Sequence, residues 1–115
     1  MGENRMIHFE ITGRDGAALQ RFYGDLFGWK LNTDNPDGYG MTSEDQTGIV
    51  VGIGNARGDA GNVTGYITVD SVDAALARAA ELGGTVVMPK FSPGPGATLG
   101  LFADPEGHLI GVTEV

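Results

Sequence analysis

The sequence predicts an α+β domain made of two successive βαβββ units. Three observations carry this. Apolar residues alternate at Met6–Ile11 and again at Tyr66–Val69, the period of a strand with one buried face. Each alternating run leads into a segment whose apolar residues recur every three to four positions, and each such segment stops at glycine. The order strand, helix, strand, strand, strand then completes itself twice at near-equal spacing. His8 and Gly52 lie 44 residues apart, and Tyr66 and Gly111 lie 45 apart.

In the first strand Ile7, Phe9 and Ile11 fall on one face, and Met6, His8 and Glu10 on the other. A helix follows from Ala17, with Ala18 or Leu19, Phe22, Tyr23 and Leu26 as its apolar side; Phe22 and Leu26 are expected to face the sheet, and Gly28 to cap the end in a left-handed conformation. Trp29–Thr33 reads as a strand and Asn35-Pro36-Asp37-Gly38 as a turn. Tyr39–Ser43 and Gly48–Ile53 are two further strands, parted by the polar Glu44-Asp45-Gln46. These elements make unit one, about residues 6–54. Residues 55–62, small, polar and glycine-rich, form a linker.

Unit two, about residues 64–115, restarts the series. His8-Phe9-Glu10-Ile11 is laid over Tyr66-Ile67-Thr68-Val69. Asp70 or Ser71 caps a helix whose apolar face is Val72, Ala75, Leu76, Ala79 and Ala80, ending at Gly83-Gly84. Thr85–Met88, Leu99–Ala103 and Leu109–Thr113 are strands. Phe91–Gly96 is a loop, and Asp104-Pro105-Glu106-Gly107 a turn whose proline fixes φ.

At 115 residues the chain fits one domain, able to bury a core without crosslinks. It has no cysteine, which excludes disulfides and thiolate metal sites and suits a reducing, cytoplasmic setting. A net charge of −8 disfavours binding to nucleic acid. No segment approaches the roughly 20 apolar residues of a membrane span, and the amino terminus lacks the pattern of a signal peptide.

The runs IHFEI, RFYGDLFGW, YITVDSVDAALARAAELGG and FADPEGHLIGV resemble the vicinal oxygen chelate superfamily, which includes glyoxalase I, bleomycin-resistance proteins and extradiol dioxygenases. The likeness covers about Met6 to Val112. It implies a curved mixed sheet around a cavity, a small-molecule ligand, and pairing of units within or between chains, hence a homodimer. FYGDLFGW and DPEG mark turns and core, so they say little about substrate.

Metal-using members of that superfamily carry ligands at four related positions, which here fall on His8, Gly52, Tyr66 and Gly111. Glycine offers no donor and neutral tyrosine a poor one, whereas a catalytic ion wants about three protein donors. With Glu10, two residues along on the same face, the set reaches two. The expectation is therefore a protein that binds its ligand without a metal, lining the site with His8, Glu10, Tyr66, Thr68, Gly52 and Gly111, and with no catalytic residue assigned. Besides a structural or regulatory module without a ligand, which a closed or absent cavity would favour, two alternatives stand beside it. One is a metal-dependent lyase, isomerase or dioxygenase that binds a divalent ion through His8, Glu10 and partner-chain ligands. The other is a resistance protein that sequesters a cationic drug. His8 also reads as an ordinary half-buried histidine, Tyr66 as a packed aromatic, Trp29 as core or interface, and the glycines as simple makers of room. The only other histidine, His108, follows a turn and is expected to point elsewhere.

Overall fold

The computed structural model describes residues 3–56, 58 and 60–114. Met1, Gly2, Arg57, Asp59 and Val115 fall outside the described residues, so the expected linker and the end of unit two are described only in part. The described residues form seven strands and three helices, an α+β fold: β1 (Met6–Gly13), α1 (Gly16–Phe27), β2 (Gly40–Met41), α2 (Glu44–Thr47), β3 (Val50–Asn55), β4 (Val63–Val69), α3 (Val72–Glu81), β5 (Thr85–Phe91), β6 (Leu99–Ala103) and β7 (Leu109–Glu114). The chain divides into an amino-terminal unit, His8–Val63, and a carboxy-terminal unit, Thr64–Val115 with Met1–Ile7.

In the amino-terminal unit the strand order is β2-β3-β1, with β1 parallel to β3 and β2 antiparallel to it. Asp15 caps α1 by accepting from the amide of Ala18. Gly28 ends the helix at φ 75°, a left-handed cap that a side chain would strain. The helix packs on β3, whose Val51 and Ile53 are buried. Its inward face differs from the expected one. Phe22 and Leu26 are each 58% exposed, while Leu19, Gln20 and Tyr23 are half-buried. Gln20 Nε2 donates to the carbonyls of Gly38 (2.9 Å) and Ile53 (2.7 Å), so a polar residue joins helix, loop and sheet where an apolar one was expected.

Two further expectations are corrected here. Trp29–Thr33 is not a strand: only Asn32 makes a bridge, to Met41, because Trp29 packs its ring against Tyr23 and Phe27 and Lys30 pairs its backbone with the side chain of Gln46. The polar Glu44-Asp45-Gln46 spacer is the short helix α2. The described part of the linker is held at both ends. Ala56 N donates to Gly13 O, and the Asn62 and Thr12 backbones exchange hydrogen bonds.

The carboxy-terminal unit is a complete βαβββ series in the order β4-β7-β6-β5, with β4 parallel to β7 and the other neighbours antiparallel. Ser71 caps α3 by accepting from the amide of Ala74. Val72 and Leu76 pack with Val112 as the core, flanked by Val69, Ala75 and Phe102. The expected face extends less far than its pattern, since Ala80 is exposed. Strand β5 runs to Phe91 through Pro89, and its pairing with β6 is irregular on both sides of Met88.

The two units repeat each other, but not in the register laid down from sequence. Glu10 pairs with Gly52 in one ladder and Tyr66 with Gly111 in the other. Helix α1 begins six residues after Glu10, and α3 six residues after Tyr66. Tyr66 is thus the counterpart of Glu10, and the counterpart of His8 is Thr64. Strand alternation is blind to a shift of two, because such a shift keeps every side chain on its face.

Candidate functional site

Strand β1 places His8 and Glu10 on one face, as the alternation requires. At His8 and Glu10 that face is the better covered one, although Met6 on the same face is 47% exposed. His8 and Glu10 are half-buried, while Ile7 and Phe9 are 42% and 37% exposed. What covers them is Tyr39, at the end of the turn before β2. Its hydroxyl donates to Glu10 Oε2 at 2.9 Å and lies 2.8 Å from His8 Nε2. A phenol has one proton. With that proton committed to Glu10, the hydroxyl oxygen accepts from His8, so His8 carries its hydrogen on Nε2. The imidazole and phenol rings are near-parallel, at 13° and 6.1 Å between centroids. Burial holds His8 below its ordinary value of 6.5, with the charge of Glu10 pulling the other way. The ring is neutral and hydrogen-bonding at neutral pH.

The floor under Tyr39 is glycine. Gly52 and Gly54 alternate along β3 and so present the same face. A Cβ at Gly52 would overlap the Tyr39 hydroxyl, and one at Gly54 would fall 2.7 Å from Tyr39 Cδ1. The phenol therefore lies lengthwise along β3 in room that only two glycines leave. Asn35 fixes its backbone, accepting from Tyr39 N at 2.9 Å and donating to Tyr39 O at 2.7 Å. Gly38, at φ 67°, takes the tight part of this turn.

In the carboxy-terminal unit the expected residues have other surroundings. Tyr66 is buried, at 4% exposure, with its ring where a Cβ at Gly111 would go. Thr68 is also buried. Its hydroxyl accepts from Arg5 N at 2.9 Å and donates to Glu3 O at 2.7 Å, so it fastens residues 3–5 to β4. Thr64, the counterpart of His8, is 2% exposed, and its hydroxyl has no hydrogen-bond partner. His108 is exposed and bonds Asp104 within its own turn, at 3.0 Å. The structure thus joins His8, Glu10 and Gly52 through a residue the sequence reading passed over. The signal for Tyr39 was a strand with two alternating glycines, an unfilled face that some other side chain must fill.

The chemistry of the donors bears on the ion that the superfamily's metal-using members hold. Among the described residues no three His, Cys, Asp or Glu side chains are grouped to bind a metal. His8 Nε2 and Glu10 Oε2 both face the Tyr39 hydroxyl, and position 52 brings no donor. The residues present do not fit a three-donor site.

Comparison with known proteins agrees with the architecture. The family model described as a glyoxalase-like domain matches residues 8–113. A Mycobacterium bovis protein named "Putative glyoxylase CFP32" is 31% identical over 112 residues, covering 90% of this chain and 42% of that protein. The chain thus spans about two fifths of the length of the curated relatives it matches. Among solved structures, a glyoxalase/bleomycin resistance protein/dioxygenase superfamily member from Vibrio splendidus has a TM-score of 0.64 at 19% identity, over 97% of this chain and 98% of that one. A Streptomyces coelicolor methylmalonyl-CoA epimerase variant has a TM-score of 0.63 at 18% identity, over 98% of both chains. No helix among the described residues is long and apolar enough to cross a membrane.

Proposed function

The chain belongs to the glyoxalase-like domain family, within the vicinal oxygen chelate superfamily, and from that premise we propose that it binds a small organic molecule at the His8–Tyr39–Glu10 group without a metal ion. One observation carries the reading. The Tyr39 hydroxyl engages both potential donors of the first strand, and the third position is glycine. A linked donor and acceptor of this kind fixes the orientation of a polar ligand, the usual work of the few polar groups in a small-molecule site. The half-buried setting of His8 and its neutral, Nε2-protonated ring support recognition by hydrogen bonding rather than by charge.

The test has two parts. Elemental analysis of the purified protein should find no stoichiometric transition metal, and a thermal-shift screen of small metabolites should find a stabilising ligand whose effect His8→Ala removes. Near one equivalent of zinc, nickel, manganese or iron per chain would overturn the reading in favour of a metal-dependent lyase, isomerase or dioxygenase. A screen in which only cationic drugs stabilise the protein would favour sequestration instead.

A further inference from the structure

We propose that Tyr39 is the residue that excludes a metal ion from this site, by engaging His8 Nε2 and Glu10 Oε2 and by filling the volume into which a side chain at position 52 would project. The inference rests on the metal-independent reading above and adds its cause.

Three positions decide the matter. His8 and Glu10 are two apart on β1 and share a face. Glu10 and position 52 are direct partners in the parallel β1–β3 ladder, so side chains at both point to that face, on strands about 4.8 Å apart. A carboxylate at 52 would join an imidazole and a carboxylate already there, giving three nitrogen and oxygen donors on one patch of rigid sheet. That donor set suits zinc or manganese. Two features of Tyr39 prevent it. Its hydroxyl meets His8 Nε2 at 2.8 Å and Glu10 Oε2 at 2.9 Å, so an ion would have to displace it to reach either atom. Its ring covers Gly52 and Gly54, so a longer side chain at 52 has nowhere to go while the ring stays. Asn35 bonds both backbone polar groups of Tyr39, which fixes the main chain from which the ring extends. Gly52 alone would explain a weak site. Tyr39 explains one that is closed.

The experiment is calorimetric titration of Zn²⁺ and of Mn²⁺ into the whole chain, comparing wild type, Tyr39→Ala, Gly52→Glu and Tyr39→Ala/Gly52→Glu. The double variant should bind one ion at least about 100-fold more tightly than wild type. Gly52→Glu alone should lose stability and gain no stoichiometric site. Tyr39→Ala alone, with two donors released, should gain about tenfold. Equal affinity in Gly52→Glu and the double variant would overturn the proposal, and so would a folded double variant no tighter than wild type. If the double variant does not fold by circular dichroism, Tyr39→Ala decides: affinity equal to wild type overturns the proposal. A wild-type protein that already holds one equivalent of metal defeats the metal-independent reading itself. A metal-free wild type whose variants gain nothing defeats this inference alone.

Discussion

The ring of Tyr66 lies against the backbone of Gly111, its ladder partner, in the space that a side chain there would need. The pairing is local to the carboxy-terminal unit and buried. Gly111→Ala should therefore force the ring aside and destabilise the fold by about 1–3 kcal/mol, the usual cost of overpacking. Tyr66→Ala costs stability of its own, but the double variant should lose less than the sum of the two, so a double-mutant cycle by chemical denaturation should return a coupling of about 0.5–3 kcal/mol. Additive effects would show that the two residues do not share the space.

Stability should fall on acidification through His8. Burial lowers its folded-state value below 6.5, so between those two values the unfolded chain binds the proton more readily. The contribution is whole above the unfolded value and diminishes as pH drops through it toward the folded one. Equilibrium unfolding followed from about pH 7 to about pH 5 should show a shallower decline in His8→Gln than in wild type. Parallel profiles would mean that His8 titrates alike in both states.

Thr68→Val should loosen the segment before β1, which the Thr68 backbone still holds through Arg5 O and the Asn4 side chain. The substitution removes a buried hydroxyl that accepts from Arg5 N and donates to Glu3 O. A loss of about 1–3 kcal/mol is expected, with faster amide exchange at Arg5. Unchanged exchange there would locate the anchorage elsewhere.

The chain is expected to form a homodimer. Phe22, Leu26 and Phe27 on α1 are each more than half exposed, an apolar surface that suits a second copy. Light scattering should give about twice the 12.0 kDa chain mass, and Phe22→Glu with Leu26→Glu should return it to one chain. A monomer at micromolar concentration would count against the expectation.

The amino-acid sequence carried the order of most elements because local rules set them. Asp15, Ser71 and Gly28 cap where short polar residues and glycine do. His8 and Glu10 share a face because strands alternate. What was not legible came from contacts distant in sequence. Nothing in the period of α1 says that Gln20 points inward; the Ile53 carbonyl it meets lies 33 residues away. Nothing in β1 says that the polar face is the covered one, because Tyr39, 31 residues on from His8, does the covering. The two-residue slip between the units escaped for another reason. Alternation alone cannot detect it, and only the Glu10–Gly52 and Tyr66–Gly111 ladders do.

The glycine floor beneath Tyr39 also imposes an order on sequence change. A side chain arriving at position 52 or 54 meets an occupied volume, whereas a change at Tyr39 meets only the loss of its own contacts. The tyrosine ring must shift before either glycine can take a side chain. Each glycine is conditionally fixed by a residue at least a dozen positions away, and a carboxylate at 52 needs the volume that the phenol now fills. The arrangement is directional: a smaller residue at Tyr39 frees volume over both glycines, whereas a side chain at Gly52 or Gly54 meets the ring.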